Sequence, residues 1–169
     1  GDVNGDGYSD VIVGAPLDDN GQVSEGRAFL YLGSGAGLSA SAAWTAESDQ
    51  ASAFFGFSLA TAGDVNGDGY SDVIVGSERY DNGETDEGRV FVYHGSAAGP
   101  TAAPAWTAES NQAGAHFAYS VATAGDVNGD GFADLLIGAF LAESSGGATS
   151  EGESYVVFGK ASWVGTPAL

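Results

Sequence analysis

The sequence contains no cysteine and no methionine. Without cysteine there is no disulfide framework, no thiolate metal site and no Cys nucleophile. Basic residues are scarce: 4 Lys plus Arg stand against 23 Asp plus Glu, a formal charge of −19 over 169 residues. That balance argues against a nucleic-acid partner, which needs a basic face to displace counterions from phosphates. It argues equally against docking on anionic lipid. Two histidines supply zinc chemistry poorly. No apolar run approaches the ~18 residues that span a bilayer, so no membrane insertion is expected. Gly1 opens neither with an initiator Met nor with a signal-peptide pattern, and the sequence reads as a mature or cut piece of a longer chain. No N-x-Ser/Thr sequon occurs.

What is present is apolar enough to fold. The content is 43% hydrophobic and 11% aromatic, which separates this acidic chain from disordered ones. Like charges repel in a compact state, so the placement of the acids becomes the leading question.

The chain repeats itself. GDVNGDGYSDVIVG begins at Gly1 and recurs letter for letter at Gly63; GDVNGDGFADLLIG begins at Gly125. The period is 62 both times, and about two-thirds of positions agree between the first two copies. The expected units are 1–62, 63–124 and a shorter third, 125–169, together one partial domain. The third copy carries two extra residues between Gly138 and Glu151, and its WTAES and SLATA counterparts are absent or reduced to SWVGT at Ser162.

Within a unit the pattern predicts four short strands: Ser58–Ala62, Asp72–Gly76, Arg89–His94 and Ala105–Glu109. Gly, Asn, Asp and Pro cluster between them, as turns require. The Val73-Ile74-Val75 run predicts burial on both faces. Sustained helical periodicity is missing. Four strands per repeat point to an all-β propeller segment of about three blades, incomplete at both ends. A β-sandwich of hairpins is the competing architecture.

The loop between the first and second strands, D-V-N-G-D-G-Y-S-D, spaces oxygen donors at positions 1, 3, 5, 7 and 9. The candidate ligands are Asp2, Asn4, Asp6, Tyr8 and Asp10; Asp64, Asn66, Asp68, Tyr70 and Asp72; and Asp126, Asn128, Asp130, Phe132 and Asp134. Tyr8, Tyr70 and Phe132 would act through their backbone carbonyls. Ca²⁺ wants six to eight oxygens in a flexible cage, so about three Ca²⁺ sites are expected; Mg²⁺ fits less well. Nine of the 23 acids lie in these loops, and three cations would offset part of their repulsion. An EF-hand is excluded, because position 12 is Val13, Val75 or Ile137 instead of Glu and a β-type run follows. A dockerin fails for the same reasons. The bland alternative is an Asx-rich turn that binds nothing.

These residues resemble the FG-GAP repeats of integrin α-subunit propellers and their bacterial relatives. Phe55-Gly56 precedes SLATAGDVNGDG, and Gly14-Ala15-Pro16 follows VIV. The resemblance implies a cation loop on the lower face of each blade and a parent ring of usually seven blades. Departures are Phe117-Ala118 for Phe-Gly, with Gly76-Ser77-Glu78 and Gly138-Ala139-Phe140 for Gly-Ala-Pro.

Other candidates read as structural. His94 and His116 do not recur. Gly56-Phe57-Ser58-Leu59-Ala60 lacks the closing Gly of a nucleophile elbow. Trp44 and Trp106 could stack a sugar, but packing between blades is the better reading. Asp18, Asp19, Asp81, Glu84, Asp86 and Glu87 could form a second acidic site or a solvated loop. Arg27 and Arg89 suit a repeated ion pair.

The leading functional expectation is a calcium-stabilised binding or adhesion module, non-catalytic and extracellular. Its partners would be the rest of a propeller or another copy of itself, and a protein or glycan ligand. A non-catalytic propeller region of a secreted enzyme (phospholipase-like or glycan-active) and a lectin are the alternatives.

Overall fold

The computed structural model describes residues 1–143 and 150–163. Much of the Ser/Gly-rich insertion after Gly138, and the residues of SWVGT beyond Trp163, lie outside this range. The described residues form ten strands and no helix.

Three antiparallel sheets follow one another along the chain. The first holds β1 (Val11–Ala15), β2 (Arg27–Tyr31) and β3 (Trp44–Glu47). The second holds β4 (Phe55–Gly63), β5 (Asp72–Ser77), β6 (Arg89–Tyr93) and β7 (Trp106–Glu109). The third holds β8 (Phe117–Gly125), β9 (Asp134–Ala139) and β10 (Glu153–Val157). Each sheet is a meander whose sequential strands are neighbours. The sheets stack as blades, with β4 against β1 and β8 against β4 and β5. Among the described residues, two hairpin layers facing each other, as a sandwich requires, do not form.

The apolar residues fill two seams. Leu30, Phe55, Val73, Val75, Phe91 and Tyr93 pack between the first and second blades. Ile74, Val90, Val92, Trp106, Phe117, Leu135 and Ile137 pack between the second and third. The alternation within β5 therefore feeds both seams, and all six of its residues are buried. This is the two-faced burial that its apolar run predicts.

The first strand of each repeat is longer than expected: β4 begins at Phe55, not Ser58. Its register shifts between Phe55 and Ser58, where Gly56 takes φ 79°. A Cβ on Gly56 would lie 2.7 Å from the Arg27 carbonyl oxygen in the neighbouring blade. Ala118 takes the equivalent place in β8 with φ 63°, so the Phe-Ala departure preserves the backbone turn. The third strand ends at Tyr93, one residue before the expected His94.

Polar fasteners cross the seams at the same places in each repeat. Gln50 holds the Asp81 backbone with both ends of its amide, accepting from Asp81 N at 2.7 Å and donating to Asp81 O at 2.8 Å. Gln112 does the same with Glu143, at 2.6 and 3.0 Å. Ser58 Oγ, on β4, donates to Ala118 O at 2.6 Å across the seam. The tryptophans are packing residues. Trp44 meets Tyr93 edge-on at 4.9 Å and donates from Nε1 to Thr101 O at 3.1 Å, and Trp106 lies 5.0 Å from Trp163.

Candidate metal centre

The three Asp-rich loops share one geometry. Position 1 organises each coil. Asp2 Oδ1 accepts from Gly5 N at 2.7 Å and Asp6 N at 3.2 Å, while Oδ2 accepts from Gly7 N at 2.8 Å. Asp64 and Asp126 repeat this pattern with Gly67, Asp68 and Gly69, and with Gly129, Asp130 and Gly131. Asn4 accepts from Asp6 N at 3.1 Å and donates from Nδ2 to Asp6 Oδ2 at 3.0 Å. Asn66 and Asn128 do likewise with Asp68 and Asp130. Asp6 Oδ1 in turn accepts from Tyr8 N at 2.9 Å, and Asp68 and Asp130 serve Tyr70 and Phe132. The tight coil needs positive φ at positions 4 and 6, which Gly5 (73°) and Gly7 (87°) supply.

Position 9 is placed differently. Asp10 is buried, and its two oxygens accept from Val3 N and Gly33 N, both at 2.8 Å. Asp72 and Asp134 bracket Val65 with Gly95, and Val127 with Gly159. This residue ties the loop to the end of the blade's third strand. Among the described residues, no three acidic or histidine side chains converge on one point. Position 9 is engaged with backbone N–H groups, and the side-chain contact within the coil is that of Asn4 with Asp6. The donor set is nonetheless oxygen only, carboxylate and amide, which suits a hard cation.

The electrostatics point the same way. Burial, opposed by the hydrogen bonds from Gly95 and Val65, pushes the Asp72 carboxyl up to about 7, and the charges of Asp68 and Asp64 add to the rise. A carboxylate crowded by two others in a desolvated bracket is one that a nearby cation would favour in its charged form.

Neighbouring loops touch. Asp2 O accepts from Ser71 N at 2.9 Å, and Asp64 O from Ala133 N at 2.8 Å. A Cβ on Gly5 would lie 2.7 Å from the Tyr70 ring, and one on Gly67 2.6 Å from the Phe132 ring.

The second acidic cluster has another purpose. Glu25 and Glu87 are fully buried and hold their own loops through Asn20 N and Asn82 N. Burial raises the Glu87 carboxyl above its usual range. Asp19 and Asp81 accept from Ser24 N and Asp86 N within the same loops. This corrects the picture of a merely solvated loop: its last acid is a core residue. Arg27 pairs with Glu47 at 3.3 Å and Asp18 at 3.6 Å, and Arg89 with Glu109 at 3.7 Å, the repeated ion pair expected.

Sequence reasoning missed a surface at the strand ends remote from the Asp-rich loops. Phe57, Tyr119 and Phe140 form a row, with ring centroids 5.1 and 4.4 Å apart, and are 40, 41 and 47% exposed. Beside it Glu78, buried, pairs with Arg79 at 3.3 Å and with His116 Nδ1. Arg79 stacks on Phe54 at 4.9 Å, and His116 lies against Phe140. The signal was available: Glu78 and His116 are the two places where the second repeat departs from Pro16 and Phe54. His94, half-buried beyond β6, has its charged form disfavoured by desolvation.

Stacked antiparallel meanders of three and four strands, each with an Asp-rich coil leading into β1, β5 or β9, define a blade-repeat protein of the β-propeller class. The chain belongs to the FG-GAP repeat family, whose profile matches residues 1–31, 55–93 and 117–157. Among curated proteins it is similar to integrin alpha-4 of Xenopus laevis, 34% identical over 85% of this chain and 14% of that protein. It is also similar to integrin alpha-PS2 of Drosophila melanogaster, 36% identical over 84% of this chain and 11% of the relative. Human integrin alpha-7 is 38% identical over 81% of this chain and 11% of its own length. The chain thus spans only a small part of the relatives it matches.

Proposed function

We propose that this chain is a calcium-braced propeller segment serving as a non-catalytic, extracellular binding module of the adhesion type. One observation carries the reading: the same oxygen-only coil is built three times, and each coil is bolted to its blade by a buried aspartate. In this role Asp2, Asn4, Asp6, the Tyr8 carbonyl and Asp10, with their counterparts in the other two loops, hold Ca²⁺. The ion supplies positive charge that fixes the turn between two strands. The chain's own residues do the rest: position 1 shapes the coil and position 9 anchors it.

The test is thermal. EGTA lowers the melting temperature and added Ca²⁺ restores it by linkage; a melting curve indifferent to both sinks the metal reading. The similarity to integrin α chains supports an adhesion role. For the partner we favour a protein over a glycan, because Trp44 and Trp106 are committed to packing while exposed aromatics with a flanking Arg are typical of protein interfaces. Peptides selected by display against the protein lose binding to a Tyr119→Ala, Phe140→Ala double variant; unchanged binding overturns that assignment.

A further inference from the structure

We infer that Asn20 and Asn82 are sites of spontaneous deamidation in the folded protein, while the Asn-Gly pairs of the Asp-rich loops are protected. The sequence contains five Asn-Gly pairs, at Asn4, Asn20, Asn66, Asn82 and Asn128. Glycine offers least hindrance to the backbone nitrogen that attacks the preceding asparagine. The reaction begins when the glycine N–H loses its proton to base. That nitrogen bonds to the Asn Cγ, and the side-chain amine takes a proton from water and leaves as ammonia. Water then opens the succinimide ring to aspartate or isoaspartate.

The five pairs divide cleanly. In the Asp-rich loops the glycine N–H is already donated to a carboxylate: Gly5 to Asp2 at 2.7 Å, Gly67 to Asp64 at 2.6 Å and Gly129 to Asp126 at 2.7 Å. That bond holds the proton and fixes the nitrogen. The asparagine is locked as well, bonded at both Oδ1 and Nδ2 to the residue two places on. In the other two loops Gly21 and Gly83 both take φ 120° and have open space around Cα. Neither of their N–H groups donates to a partner among the described residues. Both glycines are exposed. A charge-assisted hydrogen bond is strong enough to separate the two classes by roughly tenfold or more in rate.

The modification has a structural target. Asn20 Nδ2 donates to Glu47 Oε2, and Asn82 Nδ2 to Glu109 Oε1, both at 2.7 Å. Deamidation replaces each donor with a carboxylate facing that glutamate. Around Asn82 the new charge joins Glu109 and the buried Glu87, and it adjoins Asp81, whose backbone the Gln50 amide grips across the seam. Ageing at this position therefore loosens the first seam.

Peptide mapping by mass spectrometry, after incubation of the native protein in mildly alkaline buffer, tests the assignment. Asn20 and Asn82 should gain the amide-to-acid mass roughly tenfold faster than Asn4, Asn66 and Asn128, a gap set by the missing hydrogen bond. In denaturant all five should converge, because the protection is structural. Native Asn66 keeping pace with Asn82, or native Asn82 staying silent while labile in denaturant, overturns the inference. An Asn82→Asp variant should raise hydrogen exchange over residues 81–88, and an unchanged exchange pattern removes the proposed consequence.

Discussion

A single carboxylate illustrates how position decides role. Asp72 belongs by sequence to the row of oxygens in its loop, yet the fold buries it as a bracket between Val65 and Gly95. Its folded value near 7 lies above the ordinary 3.8. Between those values the folded metal-free protein holds a proton that the unfolded chain has released. Stability in EGTA is therefore complete below about pH 4 as far as this group is concerned, and falls as pH rises through 7. Saturating Ca²⁺ should flatten that fall by favouring the charged form. Melting temperatures measured across pH with and without Ca²⁺ check this; parallel curves contradict it. The sequence shows that Asp72 is an oxygen donor at the right spacing. It does not show that a backbone N–H group engages each of its two oxygens, because Gly95 approaches only through sheet pairing.

At the scale of strands and loops, the seams govern. Gly76 faces the Ala118 carbonyl oxygen so closely that an added Cβ would lie 2.3 Å from it. Gly76→Ala should cost about 2–3 kcal/mol through forced separation of two backbones, read by urea melts. The Gln112 amide, gripping Glu143 by both ends, contributes less: Gln112→Ala should cost about 1 kcal/mol. Equal effects of the two changes would show that the seams are not sterically set. The strands themselves were legible in β-branched and aromatic runs such as R-V-F-V-Y. The start of β4 was not, because Gly56 reads as a turn, and only the neighbouring blade explains why a strand bulges there instead of ending. The Glu78–His116 pair was hidden for a similar reason: its two members lie 38 residues apart and meet only across a seam.

For the molecule as a whole, the outer blades differ from the middle one in what covers them. Val13 and Val75 occupy the same place in the repeat, yet Val13 is 46% exposed and Val75 is 0%. On the other side Leu136 and Val156 are exposed while their counterparts Ile74 and Val92 are buried. Val75→Ala should cost about 1.5–3 kcal/mol, and Val13→Ala far less, in the protein as it stands. Comparable losses would mean that Val13 is covered in solution by another chain or copy, and light scattering would show the larger mass. Such open faces favour association. The repeat made blade stacking readable in advance, since identical units bury their faces only on each other.

The contact between successive Asp-rich loops has one further implication. Asp2 O is bonded to Ser71 N, Asp64 O to Ala133 N, and the first and second coils each rest on the aromatic side chain of the next. The loops are links in a chain of backbone bonds along one edge of the molecule. Ordering one coil therefore props its neighbour, at no cost in new surface. A calcium titration should rise more steeply than three independent sites allow, and Tyr70→Ala, which removes the ring beneath Gly5, should return the first step to independence. The edge that looks like three separate sockets would then behave as a single strip that stiffens from wherever the first ion lands.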